Sequence, residues 1–163
     1  MPNAPGRRGS GVRNTLYDTD FYAWANEQAA LLRAGRFSEA DLENIAEELE
    51  SVGRGEKREL NNRLKVLLTH LLTWRYQPML RGASWRLTVE EQRREVALHL
   101  ADNPSLTARL AETMVTAYGS AILSAQRETG LRRQTFPATC PWTYDQIMDA
   151  AFWPDDIAQE SVA

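Results

Sequence analysis

The strongest constraint on the fold is a leucine pattern in the middle of the chain. Leucine occupies residues 60, 64, 67, 68, 71 and 72. Because an α-helix has 3.6 residues per turn, steps of three and four place these side chains on one helical face. Pro78 ends the predicted helix, since proline lacks the backbone N–H that a helix interior needs. The segment after Gly55 is therefore predicted to be a long, core-forming helix.

The remaining segments show the same helical spacing. We predict one helix from Asp18 or Asp20 to Arg33, with Gly35 as its stop, and another from Leu106 to Gly130. Capping boxes at Ser38 with Asp41, Thr88 with Glu91 and Thr143 with Gln146 predict three more helices, which run to about Gly53, to about Ala101 and over a short stretch. Because Gly53 and Gly55 are the only helix breakers between two of these segments, that region could also form one long kinked helix. Apolar residues do not alternate as they do in strands. The sequence predicts an all-α fold, a five- to six-helix bundle with a long central helix.

The chain is expected to hold one helical domain, residues 15–154, since 163 residues suit a single domain. Residues 1–14 are rich in Gly, Pro and Arg and predict a disordered tail, and residues 155–163 predict a loose C-terminal tail. A single cysteine and the lack of an apolar signal segment favour a cytoplasmic location. No apolar run approaches the length of about 20 residues that a membrane span needs.

Charge is distributed in blocks along the chain. Residues 37–52 contain six acids and no base, whereas residues 53–86 contain eight bases and two acids. Since adjacent blocks of opposite sign can neutralise each other within the fold, the basic block does not require a polyanion as partner.

Motifs that carry chemistry are missing from the sequence. It contains no glycine-rich phosphate loop, no serine nucleophile elbow, no HExxH and no CxxC. The two histidines, His70 and His99, both lack the glutamate three residues earlier that a di-metal helical bundle uses. We therefore expect no metal, no cofactor and no catalytic residue. The sequence favours a protein that is not an enzyme.

The acidic segment offers two carboxylates at the edge of its apolar face. Leu42, Ile45, Leu49 and Val52 form this predicted apolar stripe, and Asp41 and Glu48 border it. Farther along, Arg93 lies in the middle of the apolar stripe of its own helix, where an unpaired charge would be costly. The sequence therefore predicts that Arg93 pairs with Asp41 or Glu48.

A second group of polar residues borders the leucine helix. His70 and Trp74 are one turn apart, and with Glu48, Arg86 and Arg93 they could line a polar pocket. A structural network of the same residues is the simpler interpretation. Residues 74–86 also mix aromatics with arginines, as single-stranded nucleic acid sites do, but the acidic pI near 5.5 disfavours that partner.

Several motifs together resemble a known family. They are Leu16-Tyr-Asp-x-Asp20-Phe-Tyr-x-Trp24, Leu42-Glu-Asn-Ile-Ala-Glu-Glu-Leu-Glu50, Glu56-Lys-Arg-Glu-Leu60, Leu67-Leu-Thr-His-Leu-Leu-Thr-Trp74, Tyr76-Gln-Pro78, Ser84-Trp85 and Pro104-Ser-Leu106. In this order they resemble the bacterial family called domain of unknown function 29, over about residues 16–154. The resemblance implies an all-helical protein from inside a prokaryotic cell, and it assigns no activity and no catalytic residue.

The function expected from the sequence is the binding of a macromolecule, most plausibly a protein, without catalysis. One alternative is an enzyme or small-ligand binder with a polar pocket between the helices of residues 38–53, 55–78 and 88–101. A second is nucleic-acid binding through residues 74–86. Homo-oligomer formation is left open.

Overall fold

The described part of the chain is helical. The structure, a computed structural model, describes residues 15–154. Its α-helices are α1 (Thr15–Thr19), α2 (Phe21–Arg33), α3 (Leu42–Tyr76), α4 (Ala83–Asp102), α5 (Leu110–Thr129) and α6 (Tyr144–Met148). Four short 3-10 helices lie between them, at Phe37–Glu39, Pro78–Leu80, Pro104–Arg109 and Arg133–Thr135. No residue in 15–154 belongs to a strand, so the predicted all-α fold is confirmed. The tails predicted for residues 1–14 and 155–163 lie outside the described residues.

The central helix is continuous. α3 contains 35 residues, which corresponds to about 52 Å at 1.5 Å per residue. Gly53 and Gly55 lie inside it, so the two separate helices predicted for this region are replaced by the single long helix of the alternative interpretation. A glycine inside a helix costs only about 1 kcal/mol relative to alanine, which the helical turns on both sides outweigh.

Glycines end two helices as the sequence predicts. Gly35 follows α2 with φ of 71°, and Gly130 caps α5 with φ of 72°. Both lie in the left-handed region that glycine adopts without a steric penalty. The capping box of α6 is also confirmed, because Thr143 Oγ1 accepts the backbone N–H of Gln146 while the Gln146 side chain accepts that of Thr143.

Two predicted helix starts are wrong. α4 begins at Ala83 after Gly82, and Thr88 lies inside this helix, where its hydroxyl donates to Ser84 O at 3.0 Å. α3 was predicted to begin at Ser38, but it begins at Leu42, after Asp41. The Asp41 carboxylate accepts the backbone N–H of Asn44 at 3.4 Å. Ser and Thr hydroxyls can bond a carbonyl one turn back as well as cap a helix, so the capping pattern alone did not decide the boundary.

The chain forms two compact units, which divide within α3 between residues 53 and 54. In residues 15–53, Trp24 and Gln28 are buried, and the rings of Tyr17 and Phe21 lie 4.8 and 5.3 Å from that of Trp24. In residues 54–154 the leucine face of α3 forms the core, as predicted. Its fully buried members are Leu60, Leu64, Leu67, Leu68, Leu71 and Leu72. They belong to one cluster with apolar residues of α4, α5 and α6.

Within residues 15–154, no helix has the length and apolar character that crossing a membrane requires.

Candidate functional site

Four of the six predicted site residues lie in residues 54–154, and three of these four belong to one aromatic cluster. We define the arginine–tryptophan cluster as Trp74, Arg81, Arg86, Arg93 and Trp153. The rings of Trp74 and Trp153 are 4.6 Å apart, and the Arg86 guanidinium lies 4.5 Å from the Trp153 ring. Arg81 lies 5.3 Å from the Trp74 ring. The two guanidinium distances are typical of cation–π contacts. The indole of Trp153 therefore contacts α3 through the Trp74 ring and α4 through the Arg86 guanidinium.

Arg93 is buried but does not form the predicted ion pair. Its side chain is only 6% exposed, and it donates from Nε to Ile147 O at 2.7 Å and from Nη2 to Phe152 O at 2.6 Å. The guanidinium also lies 5.2 Å from the Trp153 ring. The prediction of a bridge to Asp41 or Glu48 was therefore wrong. Ile147 lies in the last turn of α6 and Phe152 lies after it, where carbonyl groups have no partner within the helix. A buried arginine supplies donors for these carbonyl groups.

Arg93 keeps its positive charge although its side chain is buried. Desolvation lowers the pKa of this guanidinium, whereas the carboxylates of Asp149 and Glu90 raise it. Since arginine stays protonated in proteins, the positive charge persists and strengthens both hydrogen bonds to carbonyl oxygens. Arg93 thus fastens the chain after α6 onto α4.

His70 contacts groups of its own helix and of α4. Its Nδ1 lies 2.9 Å from Val66 O one turn earlier, so this nitrogen carries the hydrogen and donates to the carbonyl. The imidazole meets the Trp85 ring edge-on, with centroids 6.2 Å apart. His70 therefore belongs with the packing of α3 against the start of α4.

The arginine–tryptophan cluster is poorly suited to bind single-stranded nucleic acid. Base stacking needs an accessible aromatic face. In this cluster Arg81 and Arg86 lie over Trp74, while Arg86 and Arg93 lie over Trp153. Guanidinium groups of the protein thus contact both indole rings, as in the structural interpretation of these residues.

Asp41 and Glu48, the other two predicted site residues, lie in residues 15–53. Glu48 accepts from the Tyr17 hydroxyl at 2.5 Å, and this hydrogen bond raises the pKa of Tyr17 to about 12. Asp41 accepts from Trp24 Nε1 at 3.2 Å, while its own backbone N–H donates to the Gln28 side chain at 2.7 Å. Both carboxylates are therefore used to hold α1 and α2 against the start of α3.

The apolar stripe predicted for residues 42–52 does not form a core. Leu42, Leu49 and Val52 are 52%, 69% and 63% exposed, so the prediction of a buried stripe was wrong. The partly buried face of this helical stretch contains Asp41, Asn44, Ile45 and Glu48 instead. The physical reason is that the aromatic residues of α1 and α2 are fixed by hydrogen bonds to carboxylates.

Exposed acids lie on one side of this stripe. At about 100° per residue, Glu50 and Glu43 lie about 80° and 100° round the helix from Leu42, and Glu47 lies about 140° from it. All three are exposed. We call these six residues the acidic-apolar face. It combines large apolar side chains with a row of negative charge.

An apolar cleft was not predicted from the sequence. It lies between α5 and residues 133–144 and has a volume of about 770 Å³. It is lined by Leu110, Ala111, Met114, Val115, Tyr118, Gly119, Ile122, Leu123, Arg133, Ala138, Thr139, Cys140, Trp142, Thr143 and Tyr144. The helical spacing of Met114, Tyr118 and Ile122 was a usable signal for one wall. The other wall is irregular chain, whose position no local pattern specifies.

A smaller cleft of about 370 Å³ lies between α3 and α5, where Lys57 contacts Glu112 at 3.4 Å. The predicted polar pocket residues line neither of these clefts. Within residues 15–154, no three His, Cys, Asp or Glu side chains are grouped so that they could hold a metal ion.

These features define an all-α protein whose predicted site residues contact other groups of the protein, and whose exposed features include an acidic-apolar face and an apolar cleft. The chain belongs to the family described as Domain of unknown function DUF29, whose model matches residues 16–153. No curated protein and no solved structure matches the chain.

Proposed function

We propose that this protein binds a partner protein through the acidic-apolar face, and that the partner presents a basic amphipathic helix. The observation that carries the proposal is the exposure of Leu49, which is 69% accessible on a regular stretch of α3. Exposed apolar residues that share a face and have a polar border are typical of protein interaction sites.

Exposed apolar residues are concentrated in this part of the molecule. Of the twelve large hydrophobic residues exposed in the described chain, six lie in residues 15–53: Phe21, Tyr22, Phe37, Leu42, Leu49 and Val52. This unit is much shorter than residues 54–154, so its surface is unusually rich in apolar side chains. Burial of such residues against a partner would remove that area from water, which is the main favourable term in protein association.

The charge of the face selects the kind of partner. Residues 37–52 contain six acids and no base, and the three acids of the acidic-apolar face are exposed. Nucleic acids and anionic lipid surfaces would be repelled by this row. A helix with Leu or Ile on one face and Lys or Arg beside it matches both the apolar stripe and the acidic flank.

The experiment places a photo-crosslinking amino acid at residue 49 of the full chain in cells. Residue 87 is the control site, because Leu87 is also exposed, at 63%, but lies on α4. Support requires that residue 49 crosslinks to a basic amphipathic segment that residue 87 does not reach. Crosslinking to a neutral or acidic segment, or to a second copy of this chain, would contradict the proposal.

The captured segment is then synthesised as a peptide and titrated against purified variants. Leu49→Gln is expected to weaken binding about tenfold, since loss of one buried leucine costs about 1.5 kcal/mol. Leu87→Gln is expected to bind like the unmodified protein. Equal affinities of Leu49→Gln and Leu87→Gln would overturn the assignment of this face.

A further inference from the structure

The apolar cleft beside α5 has the size of a small-molecule site. Its volume of about 770 Å³ falls in the range of roughly 300–1,000 Å³ that such sites occupy. It lies wholly within residues 54–154, so it is separate from the acidic-apolar face.

Two polar side chains of the cleft wall have hydrogen-bond partners in the protein. The Tyr118 hydroxyl donates to Pro137 O at 2.7 Å, and the Cys140 thiol donates to Trp142 O at 3.3 Å. Burial raises the pKa values of both groups, so both are uncharged at neutral pH. A ligand in the cleft therefore meets mainly apolar side chains, which fits an apolar body.

Arg133 is the one charged residue among those that line the cleft. It is exposed, and its Nη1 donates to Phe136 O at 3.1 Å. A guanidinium has five N–H donors, so this bond leaves donors for an anion. Arg133 is among the lining residues, and its charge lowers the pKa of the Tyr118 hydroxyl against the larger rise that burial causes.

The cleft wall also includes Tyr144. Burial raises the pKa of its hydroxyl, and the charge of Asp145 raises it further, but Asp145 itself does not line the cleft. The lining therefore offers an anion a positive group at Arg133 and no negative group. This arrangement gives a bound amphipathic anion one preferred orientation.

We propose that the cleft binds a small apolar molecule with one carboxylate, which Arg133 holds at the rim while the apolar body contacts Met114, Ile122 and Trp142. One planar guanidinium matches one carboxylate with two parallel hydrogen bonds. This site would give the protein a small-molecule ligand in addition to its proposed protein partner.

Gly119 provides a way to fill the cleft without disturbing the fold. It lies within α5 and lines the cleft, and a Cβ added there meets no atom within 4 Å. A leucine at this position therefore enters open space, and it also suits a helix better than glycine does. Gly53→Leu is the matched control, because Gly53 is also helical with open space at Cβ but lies outside the cleft.

The test titrates the purified full chain with decanoate by calorimetry, at concentrations below micelle formation, and repeats the titration with decanol. Decanoate is expected to bind, and Gly119→Leu is expected to abolish binding while Gly53→Leu keeps it. Arg133→Gln is expected to weaken decanoate binding about tenfold, as for one charge-assisted contact, and to leave decanol unchanged. Arg132→Gln, an exposed neighbour, is expected to bind normally.

Cys140 reports the position of the ligand. It is the single cysteine of the chain and lines the cleft, so decanoate is expected to slow its reaction with a thiol reagent several-fold. No decanoate binding, or equal binding by Gly119→Leu, would overturn the site. Equal affinities for decanoate and decanol would overturn the role of Arg133, and unchanged labelling of Cys140 would place the ligand outside the cleft.

Discussion

Replacement of Arg93 by alanine is expected to lower the free energy of unfolding by about 3 kcal/mol. Arg93 donates two hydrogen bonds, to Ile147 O and Phe152 O, and a hydrogen bond to a charged group contributes about 1.5–3 kcal/mol. Loss of both bonds corresponds to about 3–6 kcal/mol, without the contact to Trp153. Part of this loss is offset, because burial of the guanidinium is itself unfavourable and lowers its pKa.

The assay is urea unfolding followed by circular dichroism, with exposed Arg94→Ala as the control. Arg94→Ala is expected to change stability by less than about 0.5 kcal/mol, as ordinary surface substitutions do. Arg93→Lys is expected to recover little, since a single ammonium lacks the fork that reaches two carbonyls. A loss below about 0.5 kcal/mol for Arg93→Ala would refute the reasoning, because it would mean that these bonds do not hold residues 147–152 in place.

Two further predictions concern α5. Burial raises the pKa of Tyr118 from 10.0 to about 12, so the stability that its neutral form provides is fully present below pH 10 and is lost as the pH rises through about 12. Tyr118→Phe is therefore expected to lose less stability between pH 10 and 12 than the unmodified protein in urea unfolding, and an equal loss would contradict this cause. Gly130→Ala is expected to lower the melting temperature, since φ is 72° there, whereas Gly119→Ala inside α5 is expected to raise it. Shifts in the same direction would show that backbone conformation does not control these sites.

Local patterns were sufficient for much of the fold. The leucine spacing of residues 60–72 identified the core face of α3, and Gly35, Gly130 and the pair Thr143 and Gln146 marked helix ends that the structure has. Each of these signals depends on neighbours within one or two helical turns. Such neighbours are fixed by backbone geometry, whatever the rest of the chain does.

The candidate sites depended on contacts that local patterns do not encode. The sequence marked Arg93 as a buried charge, but its partners are carbonyl groups about 54 and 59 residues away, in chain with no periodic pattern. Any carbonyl can accept a hydrogen bond, so residue type did not identify them. In the same way, Leu42 and Leu49 were predicted to face a core, but both are exposed. The sequence does not show that Tyr17 and Trp24 pack against the carboxylate side of that helix.

The glycines inside α3 have a consequence for how the protein opens. Gly53 and Gly55 are flanked by exposed residues such as Val52 and Arg54, whereas buried Leu60 begins the anchored part of the helix. This stretch has few buried contacts and a low helix propensity, so its free energy of local opening is expected to be lower than that of the rest of α3. Amide protons there should therefore exchange faster than those on either side. The two compact units are then expected to open separately, although α3 runs through both. A substitution that weakens residues 54–154 would shift one melting transition and leave that of residues 15–53 in place.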